Sequence, residues 1–402
     1  MEAPQDLPLR RQPMKAVYLT YVAVSTLLFR VPFWAITSLV PACRPRPRWT
    51  IGRTLLIRLL QTLIPVVFKT ATFHLMRVDP KTFAKQEDAA GLVWVDAVPE
   101  LVVGAIKEYA ELNDVAVEQV PTYWFGDRDP VSHRAGQKAG PDEKVILAFH
   151  PGGWVLGDCS PAGLSAGIYR EFLSRFPQFP RLLAVQYRLS QGPPLPLENP
   201  FPAAVIDAIC AYNYLLNELG FKSHNVLFLG ESAGGTLAAQ LMRYLATVNL
   251  PQLPSPGGLL LLSPTMDWGT SHMGPGSSMV RNRDSDWVHA FTTGYSTYAL
   301  LGKLPFSHAE EDAWISLAAR TLPKTDGVFT GFAPTLIVGG GAEMTLDAMK
   351  TAGERMVVDI GKDNAEFVEI SDAAHNMLTL GLHPEELEEA YRAIGRWVHA
   401  HF

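Results

Sequence analysis

From about residue 115 onward, short apolar runs alternate with longer stretches whose apolar positions recur every three or four residues. The short runs predict strands at 115–125, 144–149, 181–187, 225–229, 258–262, 334–338 and 366–370. The longer stretches, at 203–219, 232–247, 346–360 and 384–401, carry helical spacing. Continuously apolar strands separated by helices predict an α/β fold, a mostly parallel sheet covered on both faces. The alternation stops at 263–333, where Trp268, Trp287, Tyr295, Tyr298 and Trp314 lie among glycines. That stretch reads as an insertion above the sheet, its aromatics forming either a lid core or the lining of an apolar pocket.

The first hundred residues break the pattern differently. Residues 16–42 are nearly all apolar or aromatic, interrupted by Arg30 and Pro32 and followed by Arg44, Arg46 and Arg48. The run is long enough to cross a bilayer, although a charge near its middle costs about 3 kcal/mol unless it snorkels. Residues 51–68 mix Arg53 and Arg58 with leucines, as an interfacial helix does. Two readings stay open: membrane anchoring, or a pair of helices packed as a cap over an active site. The expected division is an anchor or cap at 1–110 and an α/β domain at 111–402, with 263–333 as its lid.

Composition narrows the partners. Net charge is −6 and no basic tract follows a predicted core helix, so no nucleic acid partner is expected. Cys43, Cys159 and Cys210 lie far apart, without metal-ligand spacing, so neither a disulfide framework nor a metal site is expected, and no cofactor is implied. No Asn-x-Ser/Thr sequon occurs, which weighs against a glycosylated lumenal domain. Arg10, Arg11 and Lys15 precede the apolar run, and Arg44, Arg46, Arg48 and Arg53 follow it. That slight excess places the α/β domain on the cytosolic side of a membrane such as the endoplasmic reticulum. A soluble cytoplasmic protein is the alternative.

The chemistry is concentrated at a few turns. Gly230-Glu231-Ser232-Ala233-Gly234-Gly235 follows an apolar run and opens a helical one. Such a strand–turn–helix holds a serine hydroxyl where an imidazole can deprotonate it. Gly163-Leu164-Ser165-Ala166-Gly167 repeats the glycine–serine pattern without a strand before it, and reads as a loop entering a helix. A serine nucleophile needs a base, and the base needs a carboxylate. His375, in the loop after the last strand, is the expected base; His383 reads as a helix start, and His399 and His401 as a helix end. Glu343, after Gly339-Gly340-Gly341, is the expected acid, with Asp347 one helical turn on as the alternative. Backbone N–H groups of Gly152 and Gly153, in His150-Pro151-Gly152-Gly153-Trp154, and of Ala233 are the expected oxyanion donors. His150 reads as a loop-holding partner.

These motifs recur in an order that resembles the hormone-sensitive-lipase-type branch of the α/β-hydrolases over about residues 115–402. His150 to Trp154 is followed by Tyr187-Arg188-Leu189, by Phe201-Pro202-Ala203-Ala204 with Asp207, by the Ser232 turn, and by Leu262-Ser263-Pro264. The nearest flavour is that of fungal esterases and steryl acetyl hydrolases, some with a membrane-bound N-terminus. The resemblance implies hydrolysis of small apolar esters, of short acyl length, by Ser232, Glu343 and His375, with Tyr187, Arg188 and Asp207 as scaffold. An acyltransferase with the same triad and a non-catalytic binding protein are the alternatives. Three departures stand out: Pro151 replaces a glycine of the usual His-Gly-Gly-Gly, Glu343 replaces an aspartate, and Glu231 stands where aspartate is commonest.

Overall fold

The computed structural model describes residues 8–73, 90–292, 294–381 and 383–402. Eight strands form one sheet in the order β1-β2-β4-β3-β5-β6-β7-β8. They are β1 (Leu92–Val95), β2 (Val120–Gly126), β3 (Val145–Phe149), β4 (Arg181–Val185), β5 (Val226–Glu231), β6 (Gly258–Leu262), β7 (Thr335–Gly340) and β8 (Ala365–Ile370). From β4 to β8 every pairing is parallel; β1 and β2 add an antiparallel edge.

Strand alternation sends side chains into two separate cores. In β3, Val145, Leu147 and Phe149 join the core under the helices Ala203–Asn213 and Ala233–Val248, whereas Ile146 and Ala148 join that under Ala166–Arg175 and Pro384–His401. In β6, Leu259 and Leu261 likewise part from Leu260 and Leu262. Burial on both faces is why these strands read as continuous apolar runs. β1 is the strand that the sequence pattern did not give. Four residues are too few to show a period, and β1 pairs only with β2. The sheet therefore draws a strand from the segment assigned to the N-terminal unit, as it does the helix Gly104–Asn113 packed beneath it.

Among the described residues, two long N-terminal helices precede the sheet: α1 (Met14–Thr37, with a π-turn at Thr26–Arg30) and α2 (Ile51–Lys69). α1 shows Leu27, Phe29, Phe33 and Ile36 to the outside, each more than 60% exposed. Beyond it, Trp49 Nε1 donates to the Asp372 carbonyl at 2.8 Å, and Arg53 grips Glu386 with two bonds of 2.7 and 3.1 Å. α2 then lies over the loops that follow β7 and β8, with Ile57 buried against Ala342 and Ala374, and Phe68 against Phe73, Leu156 and Phe291. The stretch 44–73 thus docks as a cap, while α1 does not.

Candidate active site

Ser232 is the hinge between β5 and the helix Ala233–Val248, held at φ +56° and ψ −118°. A non-glycine residue stays there only where its surroundings over-determine it. The Ser232 N–H donates to the Leu262 carbonyl at 2.9 Å, and the Ser232 carbonyl accepts from Thr265 N–H at 3.2 Å. The chain folds so tightly that a Cβ on Gly230 would lie 2.2 Å from the Gly234 carbonyl oxygen, and one on Gly234 would lie 2.2 Å from that of Phe149. The glycines of the motif are therefore a condition for the serine's pose.

His375, in the loop after β8, places Nε2 2.8 Å from Ser232 Oγ and Nδ1 2.7 Å from Glu343 Oε2. Glu343 is fully buried, and its remaining capacity is filled by Ser263 Oγ at 2.7 Å, Gly340 N–H at 2.5 Å and Thr345 Oγ1 at 3.1 Å. These donors fix the carboxylate, and the carboxylate fixes the imidazole. Burial alone would lower the His375 pKa, but the carboxylates of Glu343, Asp286 and Glu231 outweigh it and hold the value above that of an ordinary histidine. The arrangement can take a proton from the serine, keep the imidazolium paired and return the proton to a leaving group.

Two of the surrounding carboxyls pay for burial with raised pKa values. Burial lifts Glu231 to about 7, opposed by a hydrogen bond from Thr379 Oγ1. Burial lifts Asp286 to about 6, with the nearby His375 pulling it down and Glu343 pushing it up. Asp286 comes from the insertion, and the sequence reading missed it.

On the other side of Ser232, the loop after β3 brings Gly152 and Gly153 into the wall of the same cavity, while Ala233 is the buried first residue of the following helix. His150 is buried behind this loop, stacked on Tyr187 with centroids 4.1 Å apart, and burial depresses its pKa to about 4. Tyr187 Oη donates to the His150 carbonyl at 2.8 Å. Nearby, Asp207 accepts from both the backbone and the guanidinium of Arg188. Tyr187 thus holds the loop from behind, while Arg188 and Asp207 tie the segment after β4 to the helix Ala203–Asn213.

The cavity measures about 360 Å³ and reaches Ser232 and His375. Ile64 of α2 with Trp268, Trp287, Val288 and Phe291 of the insertion gives it an apolar wall. Trp268 and Trp287 thus line the pocket, whereas Tyr295 packs into the core beside Phe68 and Phe73. Gly163, Leu164 and Ser165, in the repeated glycine–serine pattern, line it too, but Ser165 precedes the helix Ala166–Arg175 in the αR conformation, with no strand before it.

The remaining candidates lie elsewhere. Asp347 is in the first turn of the helix Leu346–Ile360, where it accepts from Ser278 N–H at 2.8 Å and pairs with Arg281 at 2.7 Å. His383 precedes the last helix, and its Nε2 accepts from Ala374 N–H at 3.3 Å, propping the loop that carries His375. His399 and His401 end that helix.

Comparison with known proteins gives the following. Residues 146–379 match the model of a family described as having the alpha/beta hydrolase fold. An acetyl-hydrolase of Streptomyces hygroscopicus is 32% identical over 160 residues, 37% of this chain and 46% of that protein. A Schizosaccharomyces pombe protein, named provisionally as a steryl acetyl hydrolase, is 32% identical over 129 residues, 31% of each. The chain therefore spans less than half the length of these curated relatives. Among solved structures, a hormone-sensitive lipase from a metagenome library superposes with a TM-score of 0.55 at 21% identity, over 86% of this chain and 98% of that one. An esterase from the bacterial hormone-sensitive lipase family gives 0.53 at 21% identity, over 92% and 97%. At such identity the likeness shows the fold alone.

Proposed function

This chain belongs to the α/β-hydrolase fold family, and from that premise we propose that it is a serine carboxylesterase cleaving short-acyl, for example acetyl, esters of an apolar alcohol or sterol. The resemblance and fold class read from its motifs are borne out by that membership. The observation that carries the reading is the Ser232–His375–Glu343 relay opening onto an apolar cavity. The relatives' names, acetyl-hydrolase and steryl acetyl hydrolase, point the same way.

In this reading Ser232 Oγ attacks the ester carbonyl carbon while His375 Nε2 takes its proton. The tetrahedral oxyanion accepts from the N–H groups of Gly152, Gly153 and Ala233, and Glu343 keeps the imidazolium paired. His375 then protonates the departing alkoxide, leaving an acyl-Ser232. Water, deprotonated by the same nitrogen, attacks the acyl group; carboxylic acid leaves and the serine is restored. Pro151 costs this scheme nothing, because none of its three donors is residue 151. A cavity of about 360 Å³ lies at the small end of the range for small-molecule pockets, which favours a short acyl group. Hydrolysis of p-nitrophenyl esters of increasing acyl length tests the reading: turnover should be highest at two to four carbons, and a maximum at long chains would overturn it.

Residues 44–73 and the insertion serve as the cap, and α1 as a membrane anchor. At 24 residues α1 is about 36 Å long, enough for a hydrocarbon core of about 30 Å. The full chain should sediment with membranes and resist carbonate extraction. Recovery wholly in the soluble fraction would refute the anchor.

A further inference from the structure

We propose that Asp286 and Trp287 are positioning residues that tie the docked cap to both the imidazole and the acid loop of the relay; this rests on the serine-esterase reading above. The segment 282–287 of the insertion is bonded on two sides. Toward the relay, Asn282 Nδ2 donates to the carbonyls of Gly341 at 3.1 Å and Glu343 at 2.7 Å, and Ser285 Oγ donates to that of Ala342 at 2.9 Å. Asp286 Oδ2 accepts from Met344 N–H at 2.6 Å, while its Oδ1 accepts from Trp287 N–H at 2.7 Å. Every residue from 341 to 344 is thus held by this short stretch.

Trp287 reaches the histidine itself. Its Nε1–H donates to the His375 carbonyl at 3.3 Å, and its ring meets the imidazole edge-on with centroids 5.8 Å apart. Toward the cap, Gln61 of α2 donates to the carbonyls of Asp286 at 2.8 Å and Arg283 at 3.1 Å, and Arg46 donates to Asn282 Oδ1 at 2.7 Å. The Trp287 ring also packs against the clusters around Ile57 and Phe68. The cap is therefore connected to Glu343 and His375 through this segment, beside the direct bonds from Arg46 to the Gly341 carbonyl at 3.0 Å and from Trp49 to that of Asp372 at 2.8 Å. A misplacement of about 1 Å in a reacting group costs on the order of 10²-fold in rate, so small slackening here should be visible in turnover.

The experiment compares Gln61→Ala, Asp286→Asn and Trp287→Phe in the full chain, with p-nitrophenyl acetate as substrate and kcat expressed per titrated active site. Trp287→Phe keeps a ring but loses the bond to the His375 carbonyl; Asp286→Asn keeps an acceptor oxygen. Each should lower kcat per site, by about 3- to 20-fold, with KM within about twofold. Gln61→Ala and Trp287→Phe combined should fall short of the product of the single effects, because they act on one segment. A purely structural role would reduce the titratable fraction and leave kcat per site unchanged, which would overturn the proposal. So would effects confined to KM, or strictly multiplicative ones. Ser232→Ala is run alongside: hydrolysis surviving in it would refute the esterase reading, whereas its loss beside unchanged Trp287→Phe and Asp286→Asn turnover would refute only this inference.

Discussion

Among the described residues the molecule holds two hydroxyl–imidazole–carboxylate relays, and one of them is a candidate site. In the first, Ser232 Oγ, His375 and Glu343 are linked at 2.8 and 2.7 Å. In the second, Thr351 Oγ1, His272 and Asp267 are linked at 3.0 and 2.7 Å, with both His272 and Asp267 buried as well. Distances do not separate them. Presentation does: Ser232 stands on a turn at φ +56°, facing a cavity of about 360 Å³. Thr351 lies inside the helix Leu346–Ile360, with its hydroxyl also bonded to the Asp347 carbonyl at 3.0 Å. The cavity beside His272 and Asp267 is about 20 Å³, room for a water and no substrate. Chain order agrees, because the acid Asp267 and His272 both precede Thr351, whereas Ser232, Glu343 and His375 run in the order known for the fold. A relay needs a nucleophile facing a cavity with room for an electrophile before its hydrogen bonds mean anything.

The largest test of this contrast is Ser232→Ala, which should cut ester hydrolysis by on the order of 10⁴-fold or more and abolish labelling by a fluorophosphonate. Ser165→Ala should leave both nearly intact. Undiminished labelling of the Ser232 variant would end the assignment.

Next in size is Glu343→Gln, expected to lower kcat by on the order of 10³- to 10⁴-fold with little change in KM. Asp347→Asn should cost less than about tenfold, since that carboxylate faces Ser278 and Arg281. The reverse ranking would move the acid one helical turn along the chain.

The dependence on pH should be more modest. His375 must be neutral to accept a proton, so activity is present above its pKa and is lost as pH falls through it. Because the surrounding carboxylates hold that pKa above the ordinary 6.5, the acid limb of kcat/KM should have its midpoint above 6.5. A midpoint at or below 6.5 would show that burial, not charge, governs the imidazole. The smallest effect belongs to the second relay: Thr351→Val should leave kcat/KM within about twofold, and a larger loss would mean that the two relays communicate.

Seven of the eight strands were legible as short apolar runs: β3 to β6 are apolar on both faces over four or more residues, and β8 keeps Phe367 and Val368 between Glu366 and Glu369. The Ser232 turn was legible because its glycines answer a local steric demand. Long-range bonds leave no such trace. Arg53 finds Glu386 333 positions away, Arg46 finds Asn282 236 positions away, and Asp286 meets Met344 58 positions away. No spacing along the chain encodes those partners. Hydropathy equally failed to part α1 from α2, since both pass as membrane spans by length and composition. What separates them is the hydrogen-bonding side chains flanking and studding α2: Trp49 bonds the loop after β8, Arg53 the last helix and Gln61 the insertion.

The short strand β1 bears on how this protein survives being cut. A proteolytic nick near residue 110, between β1 and β2, would leave Leu92–Val95 free to peel away. The strand then bared, Val120–Gly126, carries Tyr123, Trp124 and Phe125 and not one charge. The opposite border, β8, is guarded by Glu366 and Glu369. Uncharged aromatic borders recruit strands from neighbouring molecules, whereas charged ones repel them. Four residues of sequence, contributed from outside the expected domain, thus replace an uncharged edge of seven residues with one of four, and a shorter edge is a poorer template for pairing.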